Sequence, residues 1–433
     1  MSFQDSRDNL TANIVQQISA LLIAIVVPLL LSVEEYAQVV VVGVLVSFIQ
    51  LADLGMSVVY TRKLPALYAN NKQDEIRIWN STLSHFRFFT SLVFGGAVFV
   101  YYFQRYPHGL NAGMLFMLVV FSVVTMFVIL NATVQSDFRY VRNITMAQSL
   151  ARMTILPCAW LAGVKGWFLG QLFSAVAMLF SRRFRNVLYG SLTDIKRIQW
   201  TLIRDNIAQG LILCMITTLW LQLLSSGRIY AAFFYPEAVV SQYGLVSSIY
   251  QIVVSMGIAA FVPQTIKIYR LVEQDQLKAI VYAFKLIIYS APVFILSGII
   301  LTYVAPIIVE IIFPKYNIDN GIYAPLMLSL FNCAVMVTQG ALLIGMGKTK
   351  PYLALIAMAL PVYFIFIHIF ASTSNYLAAA VAQLLTLSIY SIAILMMVCF
   401  MFKKIIVNKM IVWMACLPSF IAPLIYFILR KDL

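Results

Sequence analysis

The chain has 433 residues, of which 62% are hydrophobic and only 11% are charged, and its formal net charge is +14. An ordinary soluble domain carries about 25% charged residues, so this composition excludes a soluble enzyme or a soluble binding module. A hydrocarbon core about 30 Å thick needs about 20 apolar residues per helix, and runs of that length fill nearly the whole chain. We therefore predict an all-α polytopic membrane protein.

Hydropathy taken in chain order predicts a core of twelve spans. They lie near 10–31, 38–60, 79–103, 112–136, 144–163, 167–181, 201–226, 239–265, 280–304, 322–344, 351–371 and 377–402. The first run begins with polar residues and lacks a small-residue cleavage pattern, so we interpret it as a retained span and not as a signal peptide. A further apolar segment, 411–429, follows the core, and the sequence leaves open whether it crosses the membrane.

Basic residues between the spans predict the orientation. If the N-terminus is cytoplasmic, most of the 30 Lys and Arg residues fall in loops on that side. The opposite side has only Arg105, Lys165, Arg228, Lys315, Arg430 and Lys431. Because short cytoplasmic loops are enriched in Lys and Arg, the positive charge reflects topology, and we expect no nucleic-acid partner.

Two stretches of the sequence resemble each other and suggest an internal duplication. Residues 73–77 (QDEIR) align with residues 274–278 (QDQLK), and at nearly the same offset Gly55 aligns with Gly257. Each match is short, and the inference depends on several together. It predicts two six-span bundles, 1–200 and 201–402, joined by the cationic loop 182–200 and followed by a tail, 403–433. Six spans per half gives a parallel repeat with a substrate site between the bundles.

Three basic residues lie inside predicted spans: Arg87, Arg152 and Lys285. Each would cost about 2.5–3.5 kcal/mol at a span centre facing lipid, so another environment must solvate them. We expect them to form a ring of positive charge lining a central cavity. Two alternatives remain open: the side chains extend to the headgroups, or they pair internally with Asp53, which is predicted at a similar depth.

Two titratable residues lie near these cations. Asp53 is a candidate charge partner or ion-coupling group. His85 is two residues from Arg87, so the two side chains point to different faces of one helix. We assign Arg87 to the cavity, and a hydrogen bond to a neighbouring span is the more ordinary role for His85.

Other motifs indicate no cofactor and no metal. The five cysteines have no CxxC or Cys/His spacing. The stretch GMGKTK at 345–350 lacks the first glycine of a phosphate-binding loop, because Leu342 occupies that position, and an apolar span precedes it where a strand is required.

Several stretches resemble the lipid-linked polysaccharide repeat-unit flippases. They are a first span with a polar start, the second span YAQVVVVGVLVSFIQLADLGMSVVYTRKLPAL from Tyr36, the turn LAGVKGWFLGQ from Leu161, and GMGKTKP from Gly345. These flippases are the O-antigen and exopolysaccharide exporters of the multidrug/oligosaccharidyl-lipid/polysaccharide exporter superfamily. The resemblance covers about residues 5–405, and the segment 411–429 is extra to it.

The resemblance implies a flippase of the bacterial inner membrane, with a cytoplasmic N-terminus, and not an enzyme. Its substrate would be an undecaprenyl-diphosphate-linked oligosaccharide, moved to the periplasmic leaflet by alternating access. The cavity cations would bind the diphosphate, because arginine can bind phosphate through two parallel hydrogen bonds. The resemblance also implies coupling to a proton or sodium gradient. Possible partners are a polysaccharide polymerase or chain-length regulator.

Two other functions remain as alternatives. A multidrug exporter of the same fold should present acids to attract cations, whereas the deep charges here are mostly basic. A membrane enzyme of polysaccharide assembly needs a sizeable catalytic loop or domain, and the longest predicted outward loop, 305–321, is short.

Overall fold

The structure, a computed structural model, describes residues 3–135, 137–370, 375–402 and 409–429. Within these ranges the chain forms α-helices joined by short 3-10 turns, and no strand occurs. This confirms the predicted all-α class. The backbone divides into two compact units, unit 1 (Met1–Met215) and unit 2 (Ile216–Leu433).

Unit 1 contains eight helices and most of a ninth within the described ranges. They are α1 (Phe3–Leu30), α2 (Val33–Ser47), α3 (Met56–Ala69), α4 (Gln73–Arg105), α5 (Gly109–Val134), α6 (Phe138–Arg152), α7 (Ile155–Val176), α8 (Arg182–Thr193) and α9 (Trp200–Leu224), which continues into unit 2. The helix α4 packs along α5, and α1 packs along α6. A core cluster that includes Tyr60, Trp79 and Phe127 fills the space between α3, α4 and α5.

Helix α7 is a hairpin, because its backbone leaves the helical region at Ala162 and Gly163. The two arms pack so closely that a Cβ atom on Gly166 would lie 1.7 Å from the carbonyl oxygen of Cys158. This is the short turn predicted between the fifth and sixth spans. Glu35 holds the turn, since its carboxylate caps the start of α2 and accepts a hydrogen bond from the Val164 amide at 3.1 Å.

Unit 2 contains the remaining helices. They are α10 (Ser226–Phe234), α11 (Glu237–Gln274), α12 (Gln276–Ile312), α13 (Tyr323–Leu328), α14 (Leu330–Gly345), α15 (Thr349–Phe370), α16 (Asn375–Met401) and α17 (Lys409–Leu429). The helix α14 is buried on nearly all sides and packs against α11, α12 and α16. The final helix, α17, packs against α12, α13 and α16.

Eleven helices within the described ranges are long and apolar enough to cross a membrane. Ten of them belong to the predicted twelve-span core, and α17 is the eleventh. Helix α1 adds a shorter apolar stretch, Val15–Leu30, and the hairpin α7, counted once, supplies parts of two predicted spans. The segment predicted at 411–429 is therefore a helix of membrane-crossing length, while the terminal RKDL lies outside the described residues.

Three sequence-based expectations about local structure are wrong. The second span is not one helix but α2 and α3 separated by a 3-10 turn, Phe48–Asp53. The predicted linker loop 182–200 contains the helix α8. The outward segments are also more helical than predicted, because α10 follows α9 almost directly and α12 extends to Ile312.

Candidate functional site

The broken second span of unit 1 places a carboxylate among apolar helices. The 3-10 turn ends at Asp53, and the next two residues, Leu54 and Gly55, have positive φ angles of 49° and 77°. The Asp53 Oδ1 atom accepts a hydrogen bond from the Gly55 amide at 2.9 Å, and the Ser57 hydroxyl donates to Oδ2. Asp53 therefore satisfies the polar groups that the break in the helix exposes.

Gly55 is required at the break for two reasons. Its φ angle lies in the left-handed region, which residues with a side chain rarely adopt. A Cβ atom there would also lie 2.0 Å from the carbonyl oxygen of Gly210 on α9. The break is thus fixed by a close approach of two backbones.

Arg87 lies on α4 opposite this break and is only 4% exposed. Its Nη1 atom is 3.5 Å from Asp53 Oδ2 and donates to the Ser57 hydroxyl at 2.7 Å, and its Nη2 atom donates to the carbonyl oxygen of Val123 at 3.0 Å. The guanidinium group thereby joins α3, α4 and α5. At about 1.5 Å per residue, Arg87 is roughly 20 Å along a helix roughly 50 Å long, so the ion pair is far from both helix ends.

The guanidinium group is incompletely paired. Its Nε atom is buried and has no hydrogen-bond partner among the described residues. The distance to Asp53 is also longer than the 2.7–2.9 Å of a strong charge-assisted hydrogen bond. Arg87 is therefore held in the protein interior with unused donor capacity.

A second polar network continues through unit 1 beside this pair. The Tyr60 hydroxyl donates to Asn80 at 2.5 Å, Asn131 donates to Tyr60 at 2.8 Å, and Gln135 donates to Asn131 at 2.7 Å and to the Tyr68 hydroxyl at 3.0 Å. Its outer end borders a cavity of about 520 Å³, lined in part by Tyr68, Asn80 and Gln135. Polar side chains therefore connect that cavity to Tyr60, three residues after Ser57 in the chain.

The structure brings together two of the five predicted site residues, Arg87 and Asp53. Internal pairing, one of the alternatives weighed from the sequence, is thus the state of Arg87 here. His85 is half-buried, and its Nδ1 atom lies 2.8 Å from the carbonyl oxygen of Ser81, so its partner is on its own helix.

The other two predicted cations lie apart from this pair. Arg152 ends α6, is half-buried, and forms no hydrogen bond or ion pair with Asp53 or Arg87. Lys285 belongs to α12 in unit 2 and is exposed. Substrate binding by Arg87, Arg152 and Lys285 stays a prediction, as does ion coupling through Asp53 or His85.

Sequence reasoning missed the residues that complete the site. The role of the Val123 carbonyl has no sequence signal, because every residue has a carbonyl. Ser57 follows a short Asp-Leu-Gly stretch, which is a turn pattern that could have indicated the break. Asn80 and Asn131 are polar residues deep in apolar runs, and that position could have indicated a buried network.

Unit 2 has a neutral counterpart to this arrangement at the break between α9 and α10. The Gln383 side chain on α16 accepts a hydrogen bond from the Gly227 amide and donates one to the Leu224 carbonyl, both at 2.9 Å. Among the described residues that the structure classes as buried, unit 2 has no charged side chain. A helix break is therefore bridged by an amide in unit 2 and by an ion pair in unit 1.

No family model matches the chain, and no curated protein matches it. Two solved structures do match. One is the lipid II flippase MurJ in an inward closed conformation, with a TM-score of 0.61 and 14% identity over 99% of both chains. The other is a mutant of the Vibrio cholerae MATE transporter VcmN, with a TM-score of 0.59 and 12% identity over 98% of this chain and 97% of that one. Neither is described as an enzyme. At this level of identity the matches establish architecture: the chain has the fold shared by these two structures.

Proposed function

We propose that this protein is a flippase that moves an undecaprenyl-diphosphate-linked oligosaccharide from the cytoplasmic to the periplasmic leaflet of the bacterial inner membrane. The observation that carries the proposal is the deep Arg87 with its incomplete pairing. A diphosphate offers the acceptor oxygens that a guanidinium group binds best. The fold supports the same class of function, since one of its structural matches is a lipid II flippase.

Binding of the diphosphate requires Arg87 to exchange partners. In this structure its Nη1 and Nη2 atoms are engaged by Asp53, Ser57 and Val123. When the guanidinium group turns to a phosphate, Asp53 loses its counter-charge in apolar surroundings. An isolated buried charge is costly, so the exchange links the electrostatic environment of Asp53 to substrate binding, and we propose Asp53 as the ion-coupling group on this ground.

The N-terminus is cytoplasmic in this proposal, as the distribution of basic residues predicts. Arg152 and Lys285 are proposed as further contacts for the anionic head, reached at other stages of transport. A polysaccharide polymerase and a chain-length regulator are the proposed partners, because the flipped repeat unit is the substrate of the polymerase.

The test uses a deletion strain of the native host, complemented with variants. Arg87→Ala should abolish surface polysaccharide and cause the lipid-linked repeat unit to accumulate, with the protein still inserted. Because this variant leaves Asp53 unpaired, the neutral pair Asp53→Asn with Arg87→Gln serves as the folding control and should be equally inactive. Arg105→Ala, at the end of the same helix, is the matched control and should retain normal polysaccharide.

Normal polysaccharide in the neutral-pair strain would contradict the proposed role of the ion pair. A second candidate function, multidrug export, is favoured by the match to the MATE transporter and by the buried Asp53. That candidate predicts that the deletion strain becomes sensitive to cationic drugs while its surface polysaccharide is unchanged.

A further inference from the structure

A polar cavity of about 300 Å³ lies in unit 2, at the C-terminal end of α12. Its polar lining comes from Glu310 in the last turn of α12, from Asn317 and Asn320 in the following connection, and from Tyr323 at the start of α13. The cavity is separate from the Asp53–Arg87 pair, which lies in unit 1. Nothing in the proposed function so far uses it.

The cavity contains a polar group without a partner. Tyr323 is 1% exposed, and its buried hydroxyl has no hydrogen-bond partner among the described residues. A buried hydroxyl left unsatisfied costs about 1–3 kcal/mol, so such a group marks a position where a ligand or a water molecule belongs. Glu310 is exposed and has no ion-pair partner in the described part of the chain.

The chemistry of the lining restricts the ligand. It offers a carboxylate, two amides and a phenol, and it offers no cation. The nearby Lys315 lies over the ring of Tyr316 at 5.4 Å and does not line the cavity. A phosphate would therefore meet a carboxylate without a compensating charge. A calcium ion, which takes six to eight oxygen ligands, would find a single carboxylate.

A sugar ring fits these groups better. Its hydroxyls can both donate to a carboxylate or an amide oxygen and accept from an amide or a phenol. Its C–H faces can pack against the apolar part of the lining, which includes Phe313, Pro314 and Ile318. The volume equals that of roughly ten water molecules in the liquid, which is room for one ring.

We propose that this cavity is a saccharide subsite that holds one sugar ring of the oligosaccharide cargo. The identity of the cargo rests on the proposed function. In the orientation predicted from the basic residues, the C-terminal end of α12 faces the periplasm, so the subsite receives the head group on the release side. The Tyr323 hydroxyl and the Glu310 carboxylate bind the ring hydroxyls, and the two asparagines determine which sugar is accepted.

The test measures binding without transport. The monosaccharides released by acid hydrolysis of the host surface polysaccharide are added to the purified full-length protein in detergent, and binding is followed by saturation-transfer difference NMR. At least one sugar should give a signal, and Tyr323→Phe and Asn320→Ala should each reduce it at least threefold. Lys315→Gln, on the same connection but outside the cavity, should leave it unchanged.

Each other outcome overturns the proposal. The first is that no released sugar gives a signal, and the second is that the two cavity variants do not reduce the signal. The third is that the protein binds calcium and not sugar, with calcium binding from added calcium chloride lost in Glu310→Gln. The proposed flippase activity is judged separately, because the neutral-pair variant at Asp53 and Arg87 should lose transport and retain sugar binding. If the protein shows no sugar binding but the neutral-pair variant loses transport, only the subsite proposal fails. If sugar binding is found but the neutral-pair variant retains transport, only the proposed role of the ion pair fails.

Discussion

The two units solve one structural problem with different chemistry. Each has a break in a helix among apolar neighbours, and the exposed backbone groups must be satisfied within the protein. Unit 2 uses the neutral amide of Gln383, which bonds to Leu224 and Gly227. Unit 1 uses Asp53, and the charge of Asp53 in turn requires Arg87. A neutral bridge is sufficient to hold a helix break, so the charged one in unit 1 is best explained by a function that needs charge.

The largest effect should follow removal of one charge in unit 1. Arg87→Ala leaves Asp53 as an uncompensated buried charge, and we expect a loss of stability of about 3–5 kcal/mol. The neutral pair Asp53→Asn with Arg87→Gln should regain most of it. Thermal unfolding of the purified protein in detergent, followed by fluorescence-detected size exclusion, provides the measurement. Equal losses in the single and the double variant would contradict a stabilising role for the charge pair.

The next largest effect should be a difference in stability between alanine substitutions at Gly55 and Gly257, the two glycines that the predicted repeat aligns. Gly55→Ala forces a side chain into the left-handed region and against the Gly210 carbonyl, which should cost about 2–4 kcal/mol. Gly257→Ala meets only the edge of the Phe294 ring, at 3.1 Å, and has ordinary helical geometry. Since alanine is the better helix former, this matched variant should be within about 1 kcal/mol of the wild type. Similar melting temperatures for the two variants would show that the break at Gly55 is not fixed by backbone packing.

A smaller effect should follow disruption of the neutral bridge in unit 2. Gln383→Leu removes both hydrogen bonds and leaves the Gly227 amide and the Leu224 carbonyl without this partner, so we expect a loss of about 1–3 kcal/mol. The same unfolding assay applies, and Gln199→Leu in an exposed turn is the control. If Gln383→Leu lost as much stability as Arg87→Ala, the proposed difference in energy between the neutral and the charged helix break would be contradicted.

The smallest effect concerns the N-terminal cap of α12, compared with that of α4. The pKa of Asp275, which caps α12, is lowered chiefly by a hydrogen bond from the backbone amide of Lys278. The N-cap residue of α4 is Lys72, which makes no side-chain cap hydrogen bond. Because the pKa is lower in the folded state, the cap stabilises the protein above about pH 4 and this contribution is lost as the pH falls further.

Asp275→Asn should therefore lower the melting temperature slightly at pH 7 and not at pH 3. Melting curves of this variant and the wild type over that range provide the measurement. Lys350→Gln, in the first turn of α15 and without an ion-pair partner in the described part of the chain, should give no such pH-dependent difference from the wild type. A difference between Asp275→Asn and the wild type that persists at pH 3 would mean that the carboxylate charge is not what stabilises the start of α12.

The positions of the spans and the presence of deep cations could be predicted, because they depend on composition over long windows. The pairing of Arg87 with Asp53 was weighed as an alternative, since both residues were predicted at a similar depth. The break in the second span was not predicted, because four of the six residues of its 3-10 turn are apolar and only the short Asp-Leu-Gly stretch at its end indicates a turn. The carbonyl of Val123 was also missed, since every residue has a carbonyl and no residue pattern distinguishes this one.

The sequence by itself determined that this is an all-α membrane protein with basic residues inside its spans, because transfer of apolar and charged side chains into lipid depends on residue type alone. Only the tertiary structure decided what each cation contacts. Arg87 is solvated by groups from three consecutive helices, contributed by residues 30 and 36 positions away in the chain, and the break that places Asp53 and Ser57 beside it is held by the close contact of Gly55 with Gly210. Whether a buried charge is paired depends on such long-range geometry, and no local pattern of residues encodes it.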